Sequence, residues 1–181
     1  MNSPRRTALN SVIGLLAGVV ATGPMTIAMI LGHRRLPMSE RYPLPPREIT
    51  MKLARETGVS RYMNSDTRSA LTLLSHFAYG GAAGAIYGAA NEAVDARTLN
   101  KGIVAGLLLW VVSYLGWLPG VGVLKAAKDH PARRNALLIG AHLIWGTAMA
   151  GFASLLQEEA NGPSSKPLSS SHAPHFDLAT R

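Results

Sequence analysis

Four stretches of the chain, each about 20 residues long, contain no Asp, Glu, Lys or Arg: residues 11–32, 69–90, 102–124 and 136–156. Between them the sequence turns abruptly polar. All 18 Lys/Arg and all 10 Asp/Glu residues lie in these intervening segments and the two ends. A helix rises about 1.5 Å per residue, so a run of this length matches the roughly 30 Å hydrocarbon core of a bilayer. Surface helices of a small soluble domain carry a polar face, and these runs have none. The pattern therefore predicts an all-α protein, a four-helix transmembrane bundle over residues 11–156, with a short tail at 1–10 and a disordered tail at 157–181.

Arg5 and Arg6 precede the first run in the manner of an export signal. The run has no small-x-small cleavage site before His33, so it is expected to remain as a membrane-spanning helix. Pro24 inside it removes a backbone donor and should kink or loosen that helix. In the long basic loop, residues 33–68, Leu44-Pro45-Pro46 opens and Gly58 closes a short helix. Glu48 and Lys52 are spaced for an ion pair on it. Ile49 and Leu53 give it a narrow apolar edge, fit either for a membrane surface or for a solvated connector.

Charge adds orientation. The loops 33–68 and 125–135 share one side and hold 12 Lys/Arg, against six on the other side. The positive-inside rule then puts both loops in the cytoplasm and both termini outside. The net charge of +8 is read as loop charge and not as a nucleic-acid surface, because no basic module interleaved with aromatics accompanies it. Whole-chain mean hydropathy, +0.14, hides all of this by averaging. The absence of cysteine removes disulfides, thiol catalysis and thiolate metal sites from consideration. His172 and His175, in the Ser/Pro-rich tail, form a weak metal signal at most.

The spans correspond in pairs. Gly14-Leu-Leu-Ala-Gly18 resembles Gly102-Ile-Val-Ala-Gly106, and His76-Phe-Ala-Tyr79-Gly80 resembles His142-Leu-Ile-Trp145-Gly146. A helical hairpin used twice, with the longer loop in the first copy, explains both matches. Gly80, Gly84 and Gly88 repeat every fourth residue, as do Gly14 and Gly18. Gly102 with Gly106, and Gly146 with Ala150, continue the theme. Such small-residue faces let helix backbones approach closely in lipid, either within the chain or between copies of it.

His76 and His142 lie roughly two turns into their spans from the same side, hence at one depth. Three uses fit: hydrogen bonds to a carbonyl or hydroxyl of a neighbouring helix, for example near Pro24; a proton or solute path; or ligation of one haem iron from two sides. Tyr79 and Trp145 follow them by three residues and join them as candidate functional residues. No acidic or basic side chain accompanies the histidines within the spans, and no nucleophile–base–acid set is legible. The expectation is a non-enzymatic protein of the bilayer without a resident cofactor, acting as an accessory subunit or homo-oligomer. A small pore using the paired histidines is the first alternative, and haem binding the second.

At Gly14–Val20, Leu44–Arg47, Gly102–Gly106 and Ala141–Trp145 the chain resembles the uncharacterised YagU-like inner-membrane proteins of bacteria. The resemblance implies a multi-pass protein of a bacterial inner membrane and assigns no reaction.

Overall fold

The computed structural model describes residues 4–90 and 97–161, and every regular element among them is helical. Helix α1 is Pro4–His33, α2 Pro45–Glu56, α3 Ser65–Ala90, α4 Thr98–Gly120 and α5 Ala132–Asn161. Helices α1, α4 and α5 are long and apolar enough to cross a membrane. Helix α3, 26 residues long, is not among those three, because glycines, tyrosines and His76 occupy much of it.

The helices outrun the apolar stretches that announce them. Helix α1 already begins at Pro4, inside the segment read as a tail, and α5 keeps residues 157–161 helical where disorder was expected. His172 and His175 lie outside the described residues. Helix α4 starts and stops about one turn earlier than the span 102–124. Pro119 lacks the N–H that would close the preceding turn and its ring crowds the carbonyl there. The chain answers with a wide π-type turn over Val112–Trp117, in which Gly116 leaves helical geometry at φ −108°, ψ −109°. Gly122, at φ +68°, then turns the backbone out of the helix.

Pro24 has no such effect on α1, which stays helical through it. Its ring is exposed and faces away from the neighbouring helices. The hydroxyls of Thr22 and Thr26 donate to the carbonyls of Gly18 and Thr22 at 2.8 and 2.6 Å around it.

In space the order is α3, α1, α5, α4, each packed on its neighbour. Ile13, Ala17, Ala21 and Met25 of α1 meet Leu138, Ala141, Trp145 and Met149 of α5 to form the centre of the core. The outer pairs touch backbone to backbone. A Cβ on Gly84 would strike the Gly14 carbonyl and the Gly18 Cα, and one on Gly88 would strike the Asn10 carbonyl. In the α4/α5 pair a Cβ on Gly106 would strike the His142 carbonyl, and one on Gly146 the Gly102 carbonyl. These glycines therefore face helices of their own chain.

The connections after α1 and α4 dock on each other at one end. The guanidinium of Arg134, 1% exposed, lies over the Tyr42 ring at 3.7 Å. It donates to the carbonyls of Tyr42 at 3.1 Å and Pro43 at 2.6 Å. The Tyr42 hydroxyl meets His130 Nδ1 at 2.5 Å, and Lys52 Nζ donates to the Gly122 carbonyl. Lys52 pairs with Glu56 at 3.7 Å and not with Glu48, whose Oε2 is buried without a partner.

Candidate functional site

Helix α3 meets α1 on one side, and α4 meets α5; between α3 and α4 themselves a gap remains. Its loop-side half is a cavity of about 480 Å³ lined by side chains from all five helices. Helices α3 and α5 present His76 and Tyr79, and His142 and Trp145, to it; α4 adds Ser113, Tyr114 and Trp117. The four intramembrane residues singled out in the sequence, His76, Tyr79, His142 and Trp145, thus share one cavity.

Local geometry explains how each is held. Tyr114 is 4% exposed and packs edge-on to His142, with ring centroids 5.7 Å apart. His142 donates from Nδ1 to the Leu138 carbonyl of its own helix at 2.7 Å, which leaves Nε2 as an acceptor. The bond to a neighbouring helix expected of the histidines is made by Trp145 instead: its Nε1 donates to the Gly18 carbonyl at 3.2 Å. Gly18 is available for this because it has no side chain to shield its carbonyl. Across the gap, the Tyr79 hydroxyl and Ser113 Oγ bond at 2.8 Å, tying α3 to α4. His76 differs from all of these, since its Nε2 is buried with no partner.

Helix α2 roofs the cavity. Pro45, Ile49, Thr50 and Leu53 line it, and Thr50 bonds Ser75 of α3 through their hydroxyls at 2.7 Å. The apolar edge of α2 thus borders the bundle, with Ile49 packed on the core and Leu53 about half exposed. No Asp, Glu, Lys or Arg lines the cavity. Among the described residues no group of three His, Cys, Asp or Glu is placed to hold a metal ion.

Titratable chemistry outside the helices gathers where the two loops dock. Burial pushes His130 below its ordinary value, and the nearby Arg134 cation adds to that shift. Burial likewise raises Tyr42, with Arg134 opposing. Arg134 escaped the sequence reading, where it counted as one more loop cation. The only available signal was its position just before an apolar run, and that does not separate it from Arg133.

A helical protein with three helices fit to cross a membrane, enclosing an uncharged cavity, is the class these features define. Within that class the chain belongs to a family described as proteins of unknown function (DUF1440), which matches residues 16–150, from within α1 to within α5. No curated protein and no solved structure matches it.

Proposed function

We propose that this chain is a four-crossing, non-enzymatic protein of a bacterial inner membrane, with loops 33–68 and 125–135 in the cytoplasm and both termini outside. Its role is that of an accessory protein, built from two tightly packed helical hairpins around a cavity. The observation that carries the fourth crossing is the contact of α3 with α1. The two backbones meet at Gly84 against Gly14 and Gly18 and at Gly88 against Asn10, so α3 lies alongside a helix that is itself fit to span. Its low hydropathy arises from glycines and polar residues; Leu73 and Leu74 on the outward face are 50% and 68% exposed and apolar. A lipid-facing surface needs only that outer face to be apolar. Basic loops on the side of the anionic leaflet support the orientation. The resemblance to YagU-like proteins agrees with the inner-membrane setting.

The chain has no cysteine, so single cysteines report topology without background. In spheroplasts, a membrane-impermeant maleimide should label Arg97→Cys from outside, and Arg55→Cys and Lys128→Cys only after permeabilisation. Labelling of Arg97→Cys and Arg55→Cys from the same side would mean that α3 does not cross, and would overturn the proposal.

A further inference from the structure

We propose that the gap between α3 and α4 binds a neutral long-chain amphipath with a hydroxyl head, the hydroxyl meeting His76 and the chain running along the gap. Size comes first. The loop-side cavity of about 480 Å³ falls within the range of small-molecule sites, roughly 300–1,000 Å³. Toward the opposite end of the same helices lies a second apolar cavity of about 450 Å³, lined by Ala83, Ile86, Val104 and Leu108. Leu109 and Trp145 line both. Two cavities in one gap, sharing two wall residues, suit an elongated occupant more than a compact one.

Polarity selects the head group. Several polar side chains of the wall already have partners: Thr50 with Ser75, Tyr79 with Ser113, Thr22 with the Gly18 carbonyl, and His142, through Nδ1, with the Leu138 carbonyl. His76 Nε2 has none and is buried. A buried polar atom left unpaired costs about 1–3 kcal/mol, and native structures keep few of them. A hydroxyl satisfies this nitrogen in either tautomer, because it can donate to the bare nitrogen or accept from N–H. Charged heads do not suit the loop-side cavity, where His76 lies. With no Asp, Glu, Lys or Arg in its wall, a carboxylate, phosphate or ammonium there would lose its hydration without a counter-charge; Lys101 lines the second cavity instead. Access points to the bilayer as the source. The loop end is roofed by α2, held by the Thr50–Ser75 and Lys52–Gly122 bonds, whereas the gap itself lies between two helices. The inference rests on α3 crossing the bilayer, and failure of that crossing would be read in the labelling pattern, not in ligand binding.

Trp117 and Trp145 line the cavity and are two of only three tryptophans, so binding can be read by fluorescence. The full chain in neutral phosphatidylcholine nanodiscs is titrated with brominated octadecanol, and separately with brominated stearate at a pH where it is ionised. Saturable quenching by the alcohol is expected, reversed by unbrominated octadecanol and about tenfold weaker for the carboxylate. His76→Leu should weaken alcohol binding about tenfold, and Leu71→Phe, which fills the wall, should weaken it too. Quenching that rises without saturation, equally for alcohol and carboxylate, would overturn the proposal. Saturable binding of equal strength in a folded His76→Leu would overturn it as well. If His76→Leu does not fold, the competition and head-group comparisons in the unmodified chain decide.

Discussion

The α1/α3 pair and the α4/α5 pair are assembled by the same device and come out differently. In the first, glycines on both helices bring the backbones together at Gly14, Gly18, Gly80, Gly84 and Gly88. In the second, Gly102, Gly106 and Gly146 do so, but Ala150 and Ser154 stand where α3 has Gly84 and Gly88. A strict duplication would set Gly102 against Ala150 and Ser154; it lies against Gly146 and Ala150 instead, one turn out of step. Closest approach follows the smallest residue on offer, and in α5 that residue is Gly146. The second pair also contains the π turn of α4, whereas α1 stays helical through Pro24. The cavity lies where the two pairs face each other, in the gap between α3 and α4.

The sharpest way to break the comparison is to put a methyl group into the tight pair. Gly84→Ala should destabilise the protein by more than about 3 kcal/mol, because backbone atoms of α1 cannot move aside as a side chain would. Gly151→Ala, on the partner hairpin where a Cβ meets nothing within 4 Å, should be neutral or stabilising by up to about 1 kcal/mol. Thermal unfolding in mild detergent, followed by loss of the monodisperse peak, checks both. Equal stability of the two variants would erase the distinction between the pairs.

Next in size is Arg134→Ala. It strips a buried cation from two loop carbonyls and an aromatic ring, and each orphaned acceptor costs about 1–3 kcal/mol; the same unfolding assay should show a loss of about 3 kcal/mol. Arg134→Lys should recover little of it, since an ammonium cannot reproduce the planar fork.

Tyr79→Phe tests the strap across the gap. Loss of the Ser113 bond should cost about 1 kcal/mol and leave both hairpins packed. A loss as large as that of Gly84→Ala would mean that α3 is held mainly by α4, contrary to the packing order.

The smallest expected effect is on pH. His130 is held below its ordinary value of 6.5, first by burial. The unfolded chain therefore binds the proton more readily, so this group's contribution to stability is present above 6.5 and is lost as pH falls through the range below it. His130→Phe should flatten that portion of a pH–stability profile; an unchanged slope would assign it to another group.

Much of this was legible in the chain. Charge segregation marks the apolar runs because a bilayer admits no compromise about ionised side chains, and the glycine spacing marks the contact faces. Spacing alone, however, does not say which backbone a glycine meets, so packing within the chain and between copies looked alike. Helix ends were misjudged where charged residues extend a helix past its apolar run, as at Pro4 and at Glu158–Asn161. The π turn was missed because Gly116 and Pro119 signal a break but not its form. The meeting of His76 and His142 at one cavity follows from their equal depth, but it also needed α3 and α4 to stand apart, and no local pattern encodes that.

The packing of the α3 glycine face against α1 of the same chain is the contact on which the α1/α3 hairpin depends. A Cβ on Gly81 would lie 2.9 Å from Val19 Cγ2, so Val19→Cys with Gly81→Cys, in a chain that has no other cysteine, can form one disulfide. Oxidation in membranes followed by mass analysis is predicted to give a cross-linked monomer. A cross-linked dimer in its place would show that these faces join separate copies, and would contradict the hairpin on which the account is built.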